Sequence, residues 1–182
     1  MAQSFSAPIV RAADGSDVPA VLALLDRAAE WLLAHGRVGQ WGSGRQSTNP
    51  HRLAQARTWP ELDFFVAEAG GVVIGTLILA DRPAWNAPPA GEPERYVRLL
   101  VSDPAWAGRG VGARLLERAR AVAMEAGIRL LRLDCWAGGD GKLVSYYQAQ
   151  GFTLTQRFTR TGSDGQPWAG ALLEQRLGWD VA

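Results

Sequence analysis

A glycine-rich turn between a strand and a helix is the feature that most restricts the fold of this chain. The apolar residues Leu99, Leu100 and Val101 precede the loop Gly108-Arg109-Gly110-Val111-Gly112-Ala113, where an amphipathic helix begins. The first turn of a helix leaves backbone N–H groups without partners and carries partial positive charge, so it accepts a phosphate readily. Gly110 and Gly112 lack Cβ atoms, which lets a pyrophosphate approach the backbone, and Arg109 adds a charged donor. The segment therefore predicts an anion site at a helix start.

The same glycines are compatible with other kinds of site. A Gly-x-Gly pair alone is equally typical of an ordinary glycine-rich turn. A Walker-type phosphate loop is excluded, because no Gly-Lys-Ser or Gly-Lys-Thr follows. A dinucleotide-binding fold is disfavoured, because the chain does not have the three-glycine spacing of that fold.

Hydrophobic patterning predicts a mixed α/β (α+β) chain. We expect strands at 8–13, 64–68, 72–80, 95–101, 130–135, 152–158 and 171–176, and helices at 18–35, 50–58, 111–126 and 142–149. The segment from 95 to 135 is a strand–helix–strand crossover, which indicates one parallel strand pair. A length of 182 residues fits a single domain over 1–182.

Composition excludes several classes of function. The formal net charge is only +1, so we expect neither nucleic-acid nor membrane binding. Apolar runs are too short to span a bilayer. One cysteine, Cys135, and two histidines, His35 and His51, allow no disulfide and predict no metal site. We expect a soluble protein of the reducing cytoplasm.

Two motifs in order resemble those of the GNAT superfamily of N-acetyltransferases. The window Ala107-Gly108-Arg109-Gly110-Val111-Gly112 is similar to the family's Gln/Arg-x-x-Gly-x-Gly/Ala, with Ala107 in place of the first polar residue. Downstream, Tyr147-Gln148-Ala149-Gln150-Gly151-Phe152 resembles Tyr-x-x-x-Gly-Phe. The Asn common between these motifs is not evident, and Gly138-Gly139-Asp140-Gly141 occupies that region. The resemblance covers about residues 8–158.

This resemblance implies a fold, a cosubstrate and a mechanism. The fold is a mixed, mostly antiparallel sheet of six to seven strands with helices on both faces. Acetyl-CoA is the cosubstrate, no metal is needed, and the acceptor is a small-molecule or peptide amine that attacks the thioester directly in a ternary complex. Tyr147 matches the family's general acid, although a packing tyrosine is the alternative. Cofactor-binding residues are Leu99, Leu100 and Val101, whose backbone pairs with the pantetheine arm, together with Gly108, Arg109, Gly110, Val111, Gly112 and Ala113.

Several roles stay open at the level of sequence. The base that deprotonates the amine has three candidates, Glu68, Glu94 and Asp134. Cys135 is expected to be a buried, inert thiol rather than a nucleophile. We expect the region between Trp31 and Trp59, including Trp41, and the proline-rich loop at Trp85 to form the binding site for the acceptor. The chain has eight tryptophans, and Trp179 is the last of them. A catalytically silent acyl-CoA sensor is the alternative function, and a homodimer is compatible with the sequence.

Overall fold

A single mixed sheet forms the centre of the computed structural model, which describes residues 7–85, 87–162 and 165–178. Its strands are β1 Ile9–Ala12, β2 Asp63–Ala69, β3 Val72–Ala80, β4 Glu94–Ser102, β5 Leu130–Trp136, β6 Thr153–Thr161 and β7 Pro167–Arg176. The helices are α1 Val18–Ala34, α2 Pro50–Ala56, α3 Val111–Glu125 and α4 Lys142–Ala149. In these residues the sheet has seven strands in the order β1-β2-β3-β4-β5-β7-β6, and only the β4–β5 pair is parallel.

Helices cover both faces of the sheet, because alternate residues of the central strands are apolar on both sides. On β2, Phe64 and Val66 pack in the core on the α1 side. Their neighbours Phe65 and Ala67 pack in the other core, with residues of α3 and α4. The predicted fold class is confirmed, including the crossover from β4 through α3 to β5.

The last two strands are longer than the sequence predicts. β6 continues to Thr161 and β7 begins at Pro167, so the hairpin extends well beyond residues 158 and 171. The predicted connection around Gly162 includes Ser163 and Asp164, which lie outside the described residues. The extension matters because it carries Arg160 and Trp168, which face each other as a cross-strand pair.

A bulge in β4 creates the opening of the sheet. Ile78 lies opposite Leu99 while Leu79 lies opposite Val97, so Arg98 is an extra residue in β4. The bulge reverses the alternation of side chains along the strand. Accordingly, Val97 packs on the α3 side, and Leu99 packs on the α1 side.

The parallel ladder ends at the same point. β4 and β5 pair from Glu94 opposite Leu130 to Val97 opposite Leu133, and the registers go no further. The predicted splaying of these two strands is therefore confirmed. Beyond Val97 the backbone edge of β4 that faces β5 is open to a ligand.

Candidate active site

The separated ends of β4 and β5 open into a cleft with a volume of about 620 Å³. Its walls come from distant parts of the chain. The strands contribute residues 97–100 of β4 and 133–136 of β5, and α4 contributes Leu143 and Tyr147. The other walls include residues between Gln40 and Gln55 around α2, Trp85, and Arg160, Thr161, Gly162 and Trp168 of the β6–β7 hairpin. Of the three residues expected to pair with the pantetheine arm, Leu99 and Leu100 line the cleft. The third, Val101, does not line it, and its side chain packs in the α1-side core.

The predicted anion loop forms the start of α3. Gly108 and Gly110 each have a φ of 75°, a left-handed conformation that favours glycine. The Arg114 N–H donates to the Gly110 carbonyl at 3.0 Å, so Val111, Gly112 and Ala113 form the first turn. A helix leaves the N–H groups of that turn without intrahelical acceptors. The backbone therefore presents converging donors, and the exposed Arg109 stacks its guanidinium 5.0 Å from the Trp106 ring centroid.

Gly112 is required for a reason that the sequence does not indicate. A Cβ atom built on Gly112 would collide with the Tyr146 hydroxyl and lie 3.9 Å from Leu100 Cδ2. The absence of a side chain thus makes room for Tyr146 in this structure. It also brings the anion loop into contact with α4, the helix that carries Tyr147.

The strand end before this loop is held by an ion pair. Asp103 Oδ2 lies 2.7 Å from Arg27 Nε of α1, and Asp103 Oδ1 accepts from the Ala105 N–H at 3.0 Å. A second guanidinium nitrogen of Arg27 donates to the Val73 carbonyl at 3.1 Å. These contacts fix the direction in which the chain leaves β4.

Tyr147, the residue expected to be the general acid, lies on the buried face of α4 and lines the cleft. Its ring packs edge-on against Tyr146 and Phe152, at centroid distances of 5.3 and 6.0 Å. Burial, reinforced by the nearby Cys135, Tyr146 and Asp134, raises the pKa of the Tyr147 hydroxyl well above its usual range. The phenol therefore remains protonated at neutral pH, as a proton donor must.

Asp134 is the centre of a polar cluster inside the cleft. Its Oδ1 accepts from the Tyr96 hydroxyl at 2.6 Å and from Trp85 Nε1 at 2.9 Å. Its Oδ2 lies 3.7 Å from a guanidinium nitrogen of Arg160, within ion-pair distance but beyond hydrogen-bond distance. One carboxylate oxygen is thus fully engaged and the other retains acceptor capacity.

The other two carboxylate candidates lie away from the cleft. Glu68 pairs with Arg11 at 2.9 Å on the outer strands. Glu94 pairs with the buried Arg132 at 3.1 Å, and burial, despite that partner, raises the pKa of the Glu94 carboxyl. Neither lines the cleft, so Asp134 is the only one of the three carboxylates that the fold brings to it.

Aromatic rings surround Asp134 and Arg160. Trp85 stacks on Phe158 at 4.3 Å, and the Arg160 guanidinium lies 4.3 Å from the Trp168 ring centroid and 5.7 Å from that of Trp85. The sequence patterns do not point to the β6–β7 hairpin as part of the site. Only the register that places Arg160 opposite Trp168 would have revealed it.

The tryptophans divide between the cleft and other positions. Trp41, Trp85, Trp136 and Trp168 line the cleft, and Trp41 also packs against the α1-side core. Trp59 is a core residue, and Trp31 stacks on His35 at the surface. Trp179 lies outside the described residues. The expected acceptor regions, including Trp41 and Trp85, thus do reach the cleft.

Cys135 lines the cleft but has the properties of an inert thiol. It is 5% exposed, and burial together with the neighbouring Asp134 raises its pKa to about 12. Because the thiolate is the reactive form, a thiol of this kind is a poor nucleophile at neutral pH. His51 also lines the cleft, but its Nε2 is 3.1 Å from Gln55 Nε2, and it is not hydrogen-bonded to Cys135.

The connection between α1 and α2 closes one end of the cleft. The Gln40 carbonyl accepts from Trp168 Nε1 at 3.1 Å, and Arg37 pairs with Asp140 at 2.8 Å. A Cβ atom built on Gly39 would lie 2.9 Å from the ring of Trp136. This segment is therefore packed against both the β6–β7 hairpin and the end of β5.

The described part of the chain contains no helix long and apolar enough to cross a membrane. Within the same residues, no three His, Cys, Asp or Glu side chains form a group suited to a metal ion.

Comparison with known proteins agrees with the geometry. The model of the acetyltransferase (GNAT) family matches residues 25–152. An N-acetyltransferase of Bacillus subtilis (strain 168), YesJ, described as uncharacterized, is 29% identical over 145 residues, which are 75% of this chain and 76% of the relative.

Solved structures share the fold at low sequence identity. An N-acetyltransferase from Staphylococcus aureus Mu50 superposes with a TM-score of 0.71 at 23% identity, over 95% of this chain and 100% of the other. The protein yncA from Salmonella typhimurium, solved with its cofactor acetyl-CoA, has a TM-score of 0.67 at 21% identity, over 97% and 98%.

Proposed function

This chain belongs to the GNAT family of acetyltransferases, and on that premise we propose that it transfers the acetyl group of acetyl-CoA to an amine by direct attack in a ternary complex, with Tyr147 as the general acid. One observation carries the proposal. The side chain of Tyr147 lines the cleft that opens where β4 and β5 separate, and Leu99 and Leu100 line the same cleft.

The donor is held by two backbone features. The pyrophosphate binds the first-turn N–H groups of α3, between Gly108 and Ala113, with Arg109 as an additional charge. The pantetheine arm extends along the open edge of β4 at Leu99, Leu100 and Val101 and pairs with it as a further strand would. A backbone N–H of this edge also polarises the thioester carbonyl, as an oxyanion hole does.

Tyr147 acts on the leaving group. Attack by the amine breaks the C–S bond and expels a thiolate, and a positioned donor that protonates this thiolate speeds the step. An ordinary thiol has a pKa of about 8.5, and burial in the same cleft raises it towards that of a buried phenol. Because its own pKa is raised, Tyr147 holds its proton until this thiolate forms.

Asp134 receives the proton of the acceptor amine, because an ammonium group has no lone pair with which to attack. Its Oδ2 is the oxygen not used by Tyr96 and Trp85. Transfer occurs to this oxygen directly or through one water molecule. The bonds from Tyr96 and Trp85 fix the orientation of the carboxylate.

The test combines a binding assay with a turnover assay. Saturating acetyl-CoA is expected to raise Tm, because a ligand that binds only the folded state stabilises it. Release of free CoA with a panel of amines is then followed by a thiol reagent. Stabilisation without CoA release by any amine would favour the silent acyl-CoA sensor, and the absence of any stabilisation would refute donor binding.

The role of Tyr147 has its own test. Tyr147→Phe is expected to lower kcat by roughly ten- to a thousandfold, the range for one proton transfer, while the Kd of acetyl-CoA stays similar. Tyr146→Phe, one residue away, is the matched comparison and is expected to retain turnover. Equal kcat values for Tyr147→Phe and the wild type would remove the general-acid role.

A further inference from the structure

The charges that line the cleft do not balance. Among the described residues, Arg52, Arg98 and Arg160 line it together with a single carboxylate, that of Asp134, which leaves a formal excess of two positive charges. Asp134 lies beside Arg160, so that pair is largely compensated. Arg98 donates to the carbonyl of Arg82 at the rim. Arg52 is therefore the cation whose environment needs an explanation.

Arg52 has only neutral partners. Its guanidinium donates to Gln46 Oε1 at 3.2 Å and to Gln55 Oε1 at 2.9 Å, and it lies 5.8 Å from the ring centroid of Trp41. Among the ion pairs of the described residues, none includes Arg52. Burial lowers its pKa to about 10, so it remains charged at neutral pH. A partly desolvated cation that lines a cleft and has no carboxylate partner among the described residues is suited to an anionic ligand.

The anion that Arg52 would bind is not part of the donor. The loop from Gly108 to Ala113, which the proposed function assigns to the pyrophosphate, contributes no residue to the lining of this cleft. The portion of the donor that enters between β4 and β5 is the pantetheine arm, which is uncharged. An anion at Arg52 must therefore come from the acceptor.

Asp134 is the group in the same cleft that suits an ammonium. Its Oδ2 retains acceptor capacity, whereas the faces of Trp85 and Trp168 are already approached by the Arg160 guanidinium. An ionised carboxylate accepts hydrogen bonds from an ammonium group. The cleft thus offers separate places for a positive and a negative group on one small molecule.

The closed end of the cleft limits the size of the acceptor. The hydrogen bond from Trp168 to the Gln40 carbonyl joins the β6–β7 hairpin to the α1–α2 connection. The ion pair between Arg37 and Asp140 holds the same connection to the loop between β5 and α4. A polypeptide chain that passed between these elements would have to break both contacts, whereas a small molecule would not.

We propose that the acceptor is a free amino acid, with its amine beside Asp134 and Tyr147 and its carboxylate bound by Arg52. This inference rests on the proposed function, since it names the acceptor of the same site. It excludes polyamines, because their several positive charges would face three arginines and one carboxylate among the described residues.

The test compares acceptors that differ only in the carboxylate. The pairs are L-phenylalanine with phenethylamine, L-leucine with 3-methylbutylamine, and L-methionine with 3-(methylthio)propylamine, each assayed by CoA release at saturating acetyl-CoA. For at least one pair, the wild-type kcat/KM is expected to favour the amino acid by roughly ten- to a hundredfold, as for a charge-assisted hydrogen bond. Spermidine is expected to give no turnover above background.

Variants of two arginines isolate the contact. Arg52→Gln is expected to lower the ratio of the two kcat/KM values by roughly tenfold or more from its wild-type value, and Arg52→Lys to lower it less. Arg57→Gln, an exposed arginine next to α2 and outside the cleft, is the matched control and keeps the wild-type ratio. Because the basicity of each amine is the same for every variant, a change in the ratio reports Arg52 alone. Misfolding would lower both values together.

Each outcome has a defined meaning. A wild-type preference for the amines without carboxylate, or turnover of spermidine, would overturn the amino-acid acceptor and leave the acetyltransferase proposal intact. An amino-acid preference that persists in Arg52→Gln would overturn the assignment of Arg52. No CoA release with any of these amines, and none with a wider amine panel, would instead refute the proposed function, and the inference with it.

Discussion

The left-handed backbone at Gly110 provides a direct test of how the anion loop is held. Gly110 precedes α3 with a φ of 75°, and no atom of the described residues lies within 4 Å of the position where a Cβ would stand. Gly110→Ala therefore adds backbone strain without a steric clash. An L-residue in this conformation costs roughly 1–2 kcal/mol. Reduced freedom of the unfolded chain offsets about 0.4–1 kcal/mol of this loss.

The expected result is a net loss of about 1 kcal/mol in the free energy of unfolding, which lowers Tm by about 2–4 °C in a chain of this size. Gly44→Ala is the matched control, because Gly44 has no positive φ and an equally open Cβ position. Its Tm is expected to equal or exceed that of the wild type. Differential scanning fluorimetry of the two variants, with chemical denaturation as a second measure, provides the comparison.

A third variant separates backbone strain from obstruction of the ligand. Gly110→Asn carries a Cβ but tolerates the left-handed region better than Ala, so it is expected to recover part of the lost Tm. If acetyl-CoA binds both Gly110→Ala and Gly110→Asn with a higher Kd than the wild type, although Gly110→Asn regains Tm, the side chain itself blocks the phosphate. A Gly110→Ala protein that melts no lower than Gly44→Ala would refute the reasoning, because the left-handed conformation would then not be imposed by the fold.

Three further predictions concern buried polar groups. Asp26 accepts hydrogen bonds from the backbone N–H of Ser47 at 2.9 Å and from the Ser47 hydroxyl at 2.5 Å. Burial alone would raise the pKa of Asp26, but these hydrogen bonds outweigh the effect of burial and lower the pKa. The stabilisation by ionised Asp26 is therefore present above its unfolded-state pKa of about 3.9, and it is lost as pH falls through its lower folded-state pKa. The Tm difference between the wild type and Asp26→Asn should accordingly shrink below about pH 4. Arg132→Met leaves Glu94, whose side chain is 9% exposed, without its guanidinium partner and should lower the free energy of unfolding by about 3–5 kcal/mol in urea titrations; a loss under about 1 kcal/mol would contradict this role. Cys135 should react with a thiol reagent at pH 8 only after unfolding, since its pKa is about 12, and rapid labelling of the native protein would contradict its burial.

The sequence predicted the elements and the loop at the start of α3 because both depend on local rules. Residue spacing along α1 and α3 gave helices that end within two residues of the observed bounds. The glycine at position 110 predicted a turn, and the structure requires a left-handed conformation there. The glycine at position 112 shows the limit of such reasoning, since its contact is with Tyr146, more than thirty residues away.

The carboxylates show why the candidate site could only partly be predicted. Glu68, Glu94 and Asp134 all lie on strands, and their residue type gives no order among them. Pairing of Glu68 with Arg11 and of Glu94 with Arg132 removes two of them from consideration, and both pairs join residues distant in sequence. The bulge at Arg98 is equally hidden, because it depends on the register between β3 and β4.

What the sequence alone determined is the periodicity of each element, the helix start that suits an anion, and the tyrosine on α4. The first two follow from propensities and patterns within about fifteen residues, and the tyrosine follows from the resemblance of Tyr147 to Phe152 to a family motif. Only the tertiary structure decided which side chains meet in the cleft, because Arg52, Asp134 and Arg160 come from three separate elements. Their proximity depends on strand order, on the bulge in β4 and on the hairpin register, which result from packing of the whole sheet and not from any one segment.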